Sequence, residues 1–156
     1  MNSYKPIIYV DADACPVKSE IVQTASRFQV PVRMIASYDH RLQPAEGVEI
    51  VQVDRSSQSV DLYIANHAAA GDIVVTADFG LACMVMGKRA IALSPRGEMY
   101  TEGNIDYLME RRHEGARRRR AGMRTKGPKA MSGEDADCFQ QKLTKVLQNV
   151  QENYDV

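Results

Sequence analysis

The chain has 156 residues, 44% apolar and 26% charged, with twenty basic and twenty acidic side chains that balance to zero. That length suits one domain with a core that needs no disulfide help, and the composition is that of an ordinary globular protein. No apolar stretch approaches a membrane span and no secretory leader is predicted; three scattered cysteines without a C-x-x-C pair speak against a disulfide framework or zinc site, so a cytoplasmic location is expected.

The first predicted strand covers about 6–11, where Pro6-Ile7-Ile8-Tyr9-Val10 runs into Asp11-Ala12-Asp13. Pro16 reads as a first-turn helix proline, and Val17, Ile21, Ala25 and Phe28 then share one helical stripe. A second strand is expected over about 31–36 and, after a polar loop containing Pro44 and Gly47, a third over about 48–53. Ser56, Ser57 and Ser59 are N-cap candidates for a helix running to about Ala70, which Gly71 closes. Ile73-Val74-Val75-Thr76 is continuously apolar and reads as a central strand leading into Ala77-Asp78. A short helix over about 79–87 and a strand over about 90–93 follow.

Asn104 is expected to cap a helix bearing Ile105, Leu108 and Met109. Ser132 and Asp135 resemble a capping box for a last helix over about 133–151, whose core stripe is Phe139, Leu143, Val146 and Val150. Strands alternating with helices in this order imply an α/β fold: three layers, α/β/α, around a mostly parallel sheet of about five strands.

The zero net charge conceals a split. Residues 1–110 carry nine basic and fourteen acidic groups, whereas residues 111–129 carry nine basic groups and one acid, Glu114. Arg117, Arg118, Arg119, Arg120, Arg124 and Lys126 in that segment could track a phosphate backbone; the plainer reading is a solvated helix end or a loop kept mobile by Gly115, Gly122 and Gly127. Aromatic residues are too sparse there for a stacking platform. Arg96, beyond the fifth strand, is a single candidate for gripping a phosphate, set against an ordinary surface arginine.

The acidic residues carry more information. A parallel sheet delivers every strand's carboxyl end to one edge, so Asp11 and Asp13 after the first strand meet Asp78 after the fourth. Asp61, in the first turn of the helix after the third strand, begins at that same edge. Each has a bland alternative: Asp61 as a complement to a helix dipole, and Asp13 and Asp78 as helix caps. Three acidic segments on one edge outweigh those alternatives and point to a site for Mg²⁺ or Mn²⁺, or for phosphate. Cys15 sits beside these charges with no nearby histidine to activate it, so a catalytic thiol is not expected. His67 reads as a packed or surface residue in mid-helix.

Val10-Asp11-Ala12-Asp13-Ala14-Cys15-Pro16-Val17-Lys18, with Val60-Asp61, Val75-Thr76-Ala77-Asp78, Leu81-Ala82 and Ser94-Pro95-Arg96-Gly97, resembles the uncharacterised bacterial YaiI/YqxD family. The resemblance covers nearly the whole chain. It implies a PIN-like fold, with Thr76-Ala77-Asp78 similar to the T-x-D of PIN nucleases. It also implies Asp11, Asp61 and Asp78 at the PIN acidic positions, with Asp13 a family addition; Asn104 and Asp106 are both candidates for the fourth. The function implied is a nuclease dependent on Mg²⁺ or Mn²⁺, with all four aspartates catalytic and metal-holding and with RNA as the partner.

Two alternatives stand beside it. D-x-D after an apolar strand also begins the haloacid-dehalogenase phosphatase pattern, with Asp11 as nucleophile and Asp13 as acid/base. Against that, Ala-Cys-Pro follows Asp13 and no late acidic pair follows a strand. A non-catalytic nucleic-acid-binding module would keep the pocket without turnover.

Overall fold

Ile73-Val74-Val75 is apolar at every position because helices cover both faces of the strand it forms. The structure, a computed structural model, describes residues 5–37, 42–56, 58–123 and 130–154. Its elements are β1 (Ile8–Asp11), α1 (Lys18–Phe28), β2 (Val32–Ser37), β3 (Val48–Val53), α2 (Ser59–His67) and β4 (Ile73–Val75). They continue with α3 (Phe79–Gly87), β5 (Ile91–Leu93), α4 (Ile105–Arg120) and α5 (Gly133–Tyr154). The sheet runs β3-β2-β1-β4-β5, parallel throughout. β1 is central: Ile8 stands opposite Val32 on one side and Ile73 on the other, and Val10 opposite Met34 and Val75.

Alternation along the strands divides the core in two. Ile8, Val10, Met34 and Val75 face α1 and α5, where they meet Ile21, Ala25, Phe139, Leu143 and Leu147. Tyr9, Ile35, Val74 and Ala92 face the opposite layer, with Ile64 of α2, Leu81 and Val85 of α3, and Ile105 at the start of α4. This is the three-layer α/β/α architecture with a five-strand parallel sheet expected from the sequence. The last helix is tied to the first by polar bonds as well. Gln140 donates to the Thr24 hydroxyl at 3.2 Å, Arg27 to the Thr144 hydroxyl at 3.1 Å, and Gln151 to the Phe28 carbonyl at 2.9 Å.

Several boundaries differ from expectation, each for a local reason. Pro16 precedes α1 rather than opening it, because a single 3₁₀ turn, Ala12–Ala14, intervenes after β1. α2 stops at His67, short of Ala70, where Ala68 turns to extended backbone. The buried Asp72 carboxylate draws the chain away by accepting the Ala69 and Ile7 N–H groups at 2.9 and 3.0 Å. Gln58 occupies the α2 N-cap position without a side-chain capping bond, the Ser56 hydroxyl accepts the Gln58 N–H at 3.4 Å, and Ser57 lies outside the described residues. Asn104 does precede α4, but its amide is turned back to the Thr101 N–H and the Met99 carbonyl.

The largest difference is α4. A mobile or loop-like basic stretch was one reading, yet the helix runs unbroken through Gly115 to Arg120. Arginine is a strong helix former, and four in the last turn complement the helix dipole. Arg117 pairs with Glu110 and Glu114, and Arg118 with Glu114. Gly122, at φ +78°, follows the helix end in the left-handed conformation. Arg124 and Lys126 lie outside the described residues. The predicted capping box of α5 is present: the Asp135 N–H donates to the Ser132 hydroxyl at 3.2 Å and the Ser132 N–H to Asp135 Oδ2 at 3.0 Å.

Candidate functional site

The sheet order creates a crevice at its centre. From β1 the chain passes to β2 on one side, and after β3 the crossover through α2 carries it to β4 on the other. Ligands of open α/β sheets bind where the strand order reverses in this way, outside the carboxyl ends. Asp11 is the last residue of β1, and Thr76 and Asp78 immediately follow β4.

Thr76 organises the crevice. It is 1% exposed, and its hydroxyl donates to Asp11 Oδ2 at 3.0 Å while accepting the Asp78 N–H at 3.0 Å. The Tyr100 hydroxyl holds the Thr76 carbonyl at 3.1 Å. One buried hydroxyl therefore fixes the relative positions of two acids from different segments. Among the predicted catalytic residues Thr76 was missing, although its place directly after a buried strand and two residues before an aspartate was the available signal.

Asp78 serves two ends. Its Oδ1 accepts the Gly80 and Leu81 N–H groups at 2.8 and 3.1 Å, so it is the N-cap of α3 as the structural alternative supposed. It also shares a hydrogen bond with Asp61, which α2 brings in from its first turn. Burial, that hydrogen bond, and the charges of Asp78 and Asp11 push the Asp61 carboxyl up to about 7. Asp11 is raised as well, mainly by burial and further by Asp13 and Asp78, with the Thr76 hydrogen bond opposing. Asp11, Asp61 and Asp78 thus form one electrostatic cluster.

Asp13 stands at its margin. It belongs to the 3₁₀ turn, and its two oxygens accept the Ser37 N–H at 3.0 and 3.2 Å, bracing the end of β2 rather than capping α1. Arg96 follows β5 at the same edge, but its guanidinium reaches Asp135 of α5 at 3.3 Å. Asp106 is exposed in the first turn of α4. Cys15 is buried, which raises its thiol to about 11 and agrees with the expectation that it is no nucleophile. His67 is exposed and stacked on Tyr63.

The donor set suits a hard divalent cation: oxygen ligands only, from three chain segments, with Asp61 pushed up to about 7 by burial first and by its acidic neighbours second. As the side chains stand, no group of three His, Cys, Asp or Glu residues among the described residues closes tightly enough to hold a metal ion. Asp11, Asp61 and Asp78 are the residues that would hold a cation, with Asp13 bordering them.

The cluster has a consequence for stability. An unfolded aspartate titrates near pH ~3.9, whereas Asp61 titrates at about 7 in the fold. Its stabilising proton is fully present below pH ~4 and is lost as the pH rises through about 7. In chelator, the melting temperature of wild type relative to Asp61→Asn is therefore expected to fall between pH ~4 and ~8. Solvent screening at this half-buried site limits the change to about 1–3 °C. A difference that stays flat across that range would refute the coupling.

Fold and site together define a three-layer α/β protein with a carboxylate cluster in its switch-point crevice. The chain belongs to the family described as "Uncharacterized BCR, YaiI/YqxD family", whose model matches residues 9–149. Among its relatives, a UPF0178 protein of Bacillus pumilus (strain SAFR-032) is 48% identical over 151 residues, covering 95% of this chain and 90% of that one. UPF0178 protein Lmo1456 of Listeria monocytogenes is 43% identical over 144 residues, covering 92% and 97%. A crystal structure of Rae1 (YacP) from Bacillus subtilis, a W164L mutant, is similar at TM-score 0.43 and 16% identity, covering 92% of this chain and 98% of that one. That likeness is too loose to carry an argument from residue to residue.

Proposed function

We propose that the protein is a phosphodiester hydrolase, a nuclease acting on RNA, that works with Mg²⁺ or Mn²⁺ held by Asp11, Asp61 and Asp78. The observation that carries this reading is the meeting of those three carboxyl groups at the carboxyl edge of the sheet, where burial, the Asp78 hydrogen bond and the charges of Asp78 and Asp11 push Asp61 up to about 7. Among the described residues no basic group is seen to offset the charges on Asp11 and Asp61, and the cluster sits where a phosphate ligand would enter. When bound, a divalent ion supplies an activated water and neutralises charge developing on the phosphate.

The chain's own residues do the rest. Thr76 orients Asp11, and the α3 backbone orients Asp78. Burial of Asp11 and Asp61 reduces the competition from bulk water for whatever the carboxylates hold. Asp13 keeps the β2 end in place through Ser37. RNA as the substrate rests on the family resemblance and on the arginines of α4. The phosphatase alternative requires Asp13 to move protons, and the engagement of both its oxygens by the Ser37 N–H favours the nuclease reading over it.

The test is incubation of the purified protein with unstructured RNA in Mn²⁺, with and without chelator. Cleavage that chelator abolishes supports the reading. Cleavage indifferent to chelator, or intact RNA in Mn²⁺ and Mg²⁺ alike, overturns it.

A further inference from the structure

α3 and α4 do not close on each other completely. Between them lies a groove of about 330 Å³, lined by Phe79, Gly80, Met109, His113, Ala116 and Arg120. Phe79 and Gly80 directly follow Asp78, and the Gly80 N–H that donates to Asp78 Oδ1 belongs to the groove wall. One wall of the groove therefore begins at the residue next to Asp78, and Gly80 of that wall is hydrogen-bonded to the Asp78 carboxylate.

Its lining carries two chemistries. Phe79 at the start of α3, its ring edge-on to Tyr100 with centroids 5.7 Å apart, forms an apolar side with Met109 and Ala116. His113 and Arg120, one and three turns further along α4, add hydrogen-bond donors and a cation. Arg117 and Arg118, by contrast, are engaged by Glu110 and Glu114 along the helix. An aromatic ring and apolar side chains at the Met109 end, with a cation at the Arg120 end of the same α4 stripe, match the two halves of a nucleotide, a flat base and its phosphate. The volume is at the lower end of small-molecule sites, enough for one nucleotide and too little for a base pair.

We propose that this groove receives one unpaired nucleotide flanking the reacting phosphate, its base against Phe79 and Met109 and its phosphate at Arg120, so that the substrate is single-stranded. The inference rests on the nuclease reading for the position of the reacting phosphate. A base inside a duplex stays stacked on its neighbours and cannot enter without being flipped out, at an energetic cost that single strands do not bear. The groove thereby selects strand state rather than sequence, since every base offers a flat face to an aromatic ring.

The test is fluorescence anisotropy with a short labelled oligoribonucleotide, single-stranded or annealed to its complement, on the full chain in chelator so that no cleavage intervenes. Ala116→Trp fills the groove from a helix face, Phe79→Leu keeps an apolar side chain without the ring, and Arg120→Gln removes the charge from the last turn of α4. Melting curves establish that each variant is folded, and the conclusion needs only one that is. Single strand is expected to bind at least about tenfold more tightly than duplex, and each variant to lose about tenfold for single strand with duplex binding unchanged. Equal binding of both forms, or single-strand affinity untouched by the folded variants, overturns the groove. Cleavage by the same proteins in Mn²⁺ separates the two readings. Groove-dependent binding without any cleavage retains the groove and rejects the nuclease; cleavage by wild type and Ala116→Trp alike does the reverse.

Discussion

Asp11→Asn is expected to lower RNA cleavage by on the order of 10²–10³-fold or more, with little change in melting temperature. Asparagine keeps the shape of the side chain, and its carbonyl oxygen still accepts from the Thr76 hydroxyl, so the end of β1 is not disturbed. What it removes is one negative charge from a cluster in which Asp11, Asp61 and Asp78 already repel one another. Folding therefore loses nothing and gains relief from repulsion, while a cation loses a ligand. Opposite effects on stability and activity are the signature of a site whose charges serve binding rather than the fold. Asp78 makes a less clean test, because removing its side chain also removes the cap of α3, worth about 1 kcal/mol. Cleavage by Asp11→Asn at the wild-type rate would contradict the assignment.

Phe139→Ala is expected to cost about 3–5 kcal/mol and to lower the melting temperature by about 10 °C or more. Phe139 is wholly buried on α5, facing the layer of Ile8, Val10 and Val75 that lies beneath the carboxylates. Its surroundings have little room to collapse into the cavity. The loop after β5 packs directly on the helix backbone at this residue, where a Cβ on Gly97, at φ +88°, would come within 3.2 Å of the Phe139 N and Cα atoms. Chemical or thermal denaturation measures the loss. A cost below about 1 kcal/mol would mean that α5 does not close this face as described.

The strands were legible because the pattern that forms them is local. Ile73-Val74-Val75 and Val48-Glu49-Ile50-Val51-Gln52-Val53 carry their signals within a few residues, and both fall where expected. The convergence of Asp11, Asp61 and Asp78 was legible for a topological reason, since a parallel sheet brings all its carboxyl ends to one edge. Features set by distant partners were not. The early end of α2 depends on Asp72 reaching Ala69 and Ile7, and Ile7 is separated from it by 65 positions. The turning of Asp13 toward Ser37, and of Arg96 toward Asp135, depends on how the 3₁₀ turn and α5 settle.

For the basic segment the sequence left a solvated helix end and a loop both open, and the structure has the helix end. Glycines and a run of like charge suggested a loop, but arginine's helix propensity and the pairs with Glu110 and Glu114 outweighed Gly115. The groove beside Asp78 could not be read at all, because it exists only between α3 and α4. The aromatic residue that the basic segment lacked comes instead from Phe79.

Calorimetric titration of Mn²⁺ into the wild-type protein and into Asp11→Asn at neutral pH tests the carboxylate site most directly. Saturable binding by wild type, accompanied by proton release as Asp61 ionises and weakened at least about tenfold in Asp11→Asn, is the expected result. Absence of binding, or binding of equal strength in both proteins, would contradict a cation site built on Asp11, Asp61 and Asp78.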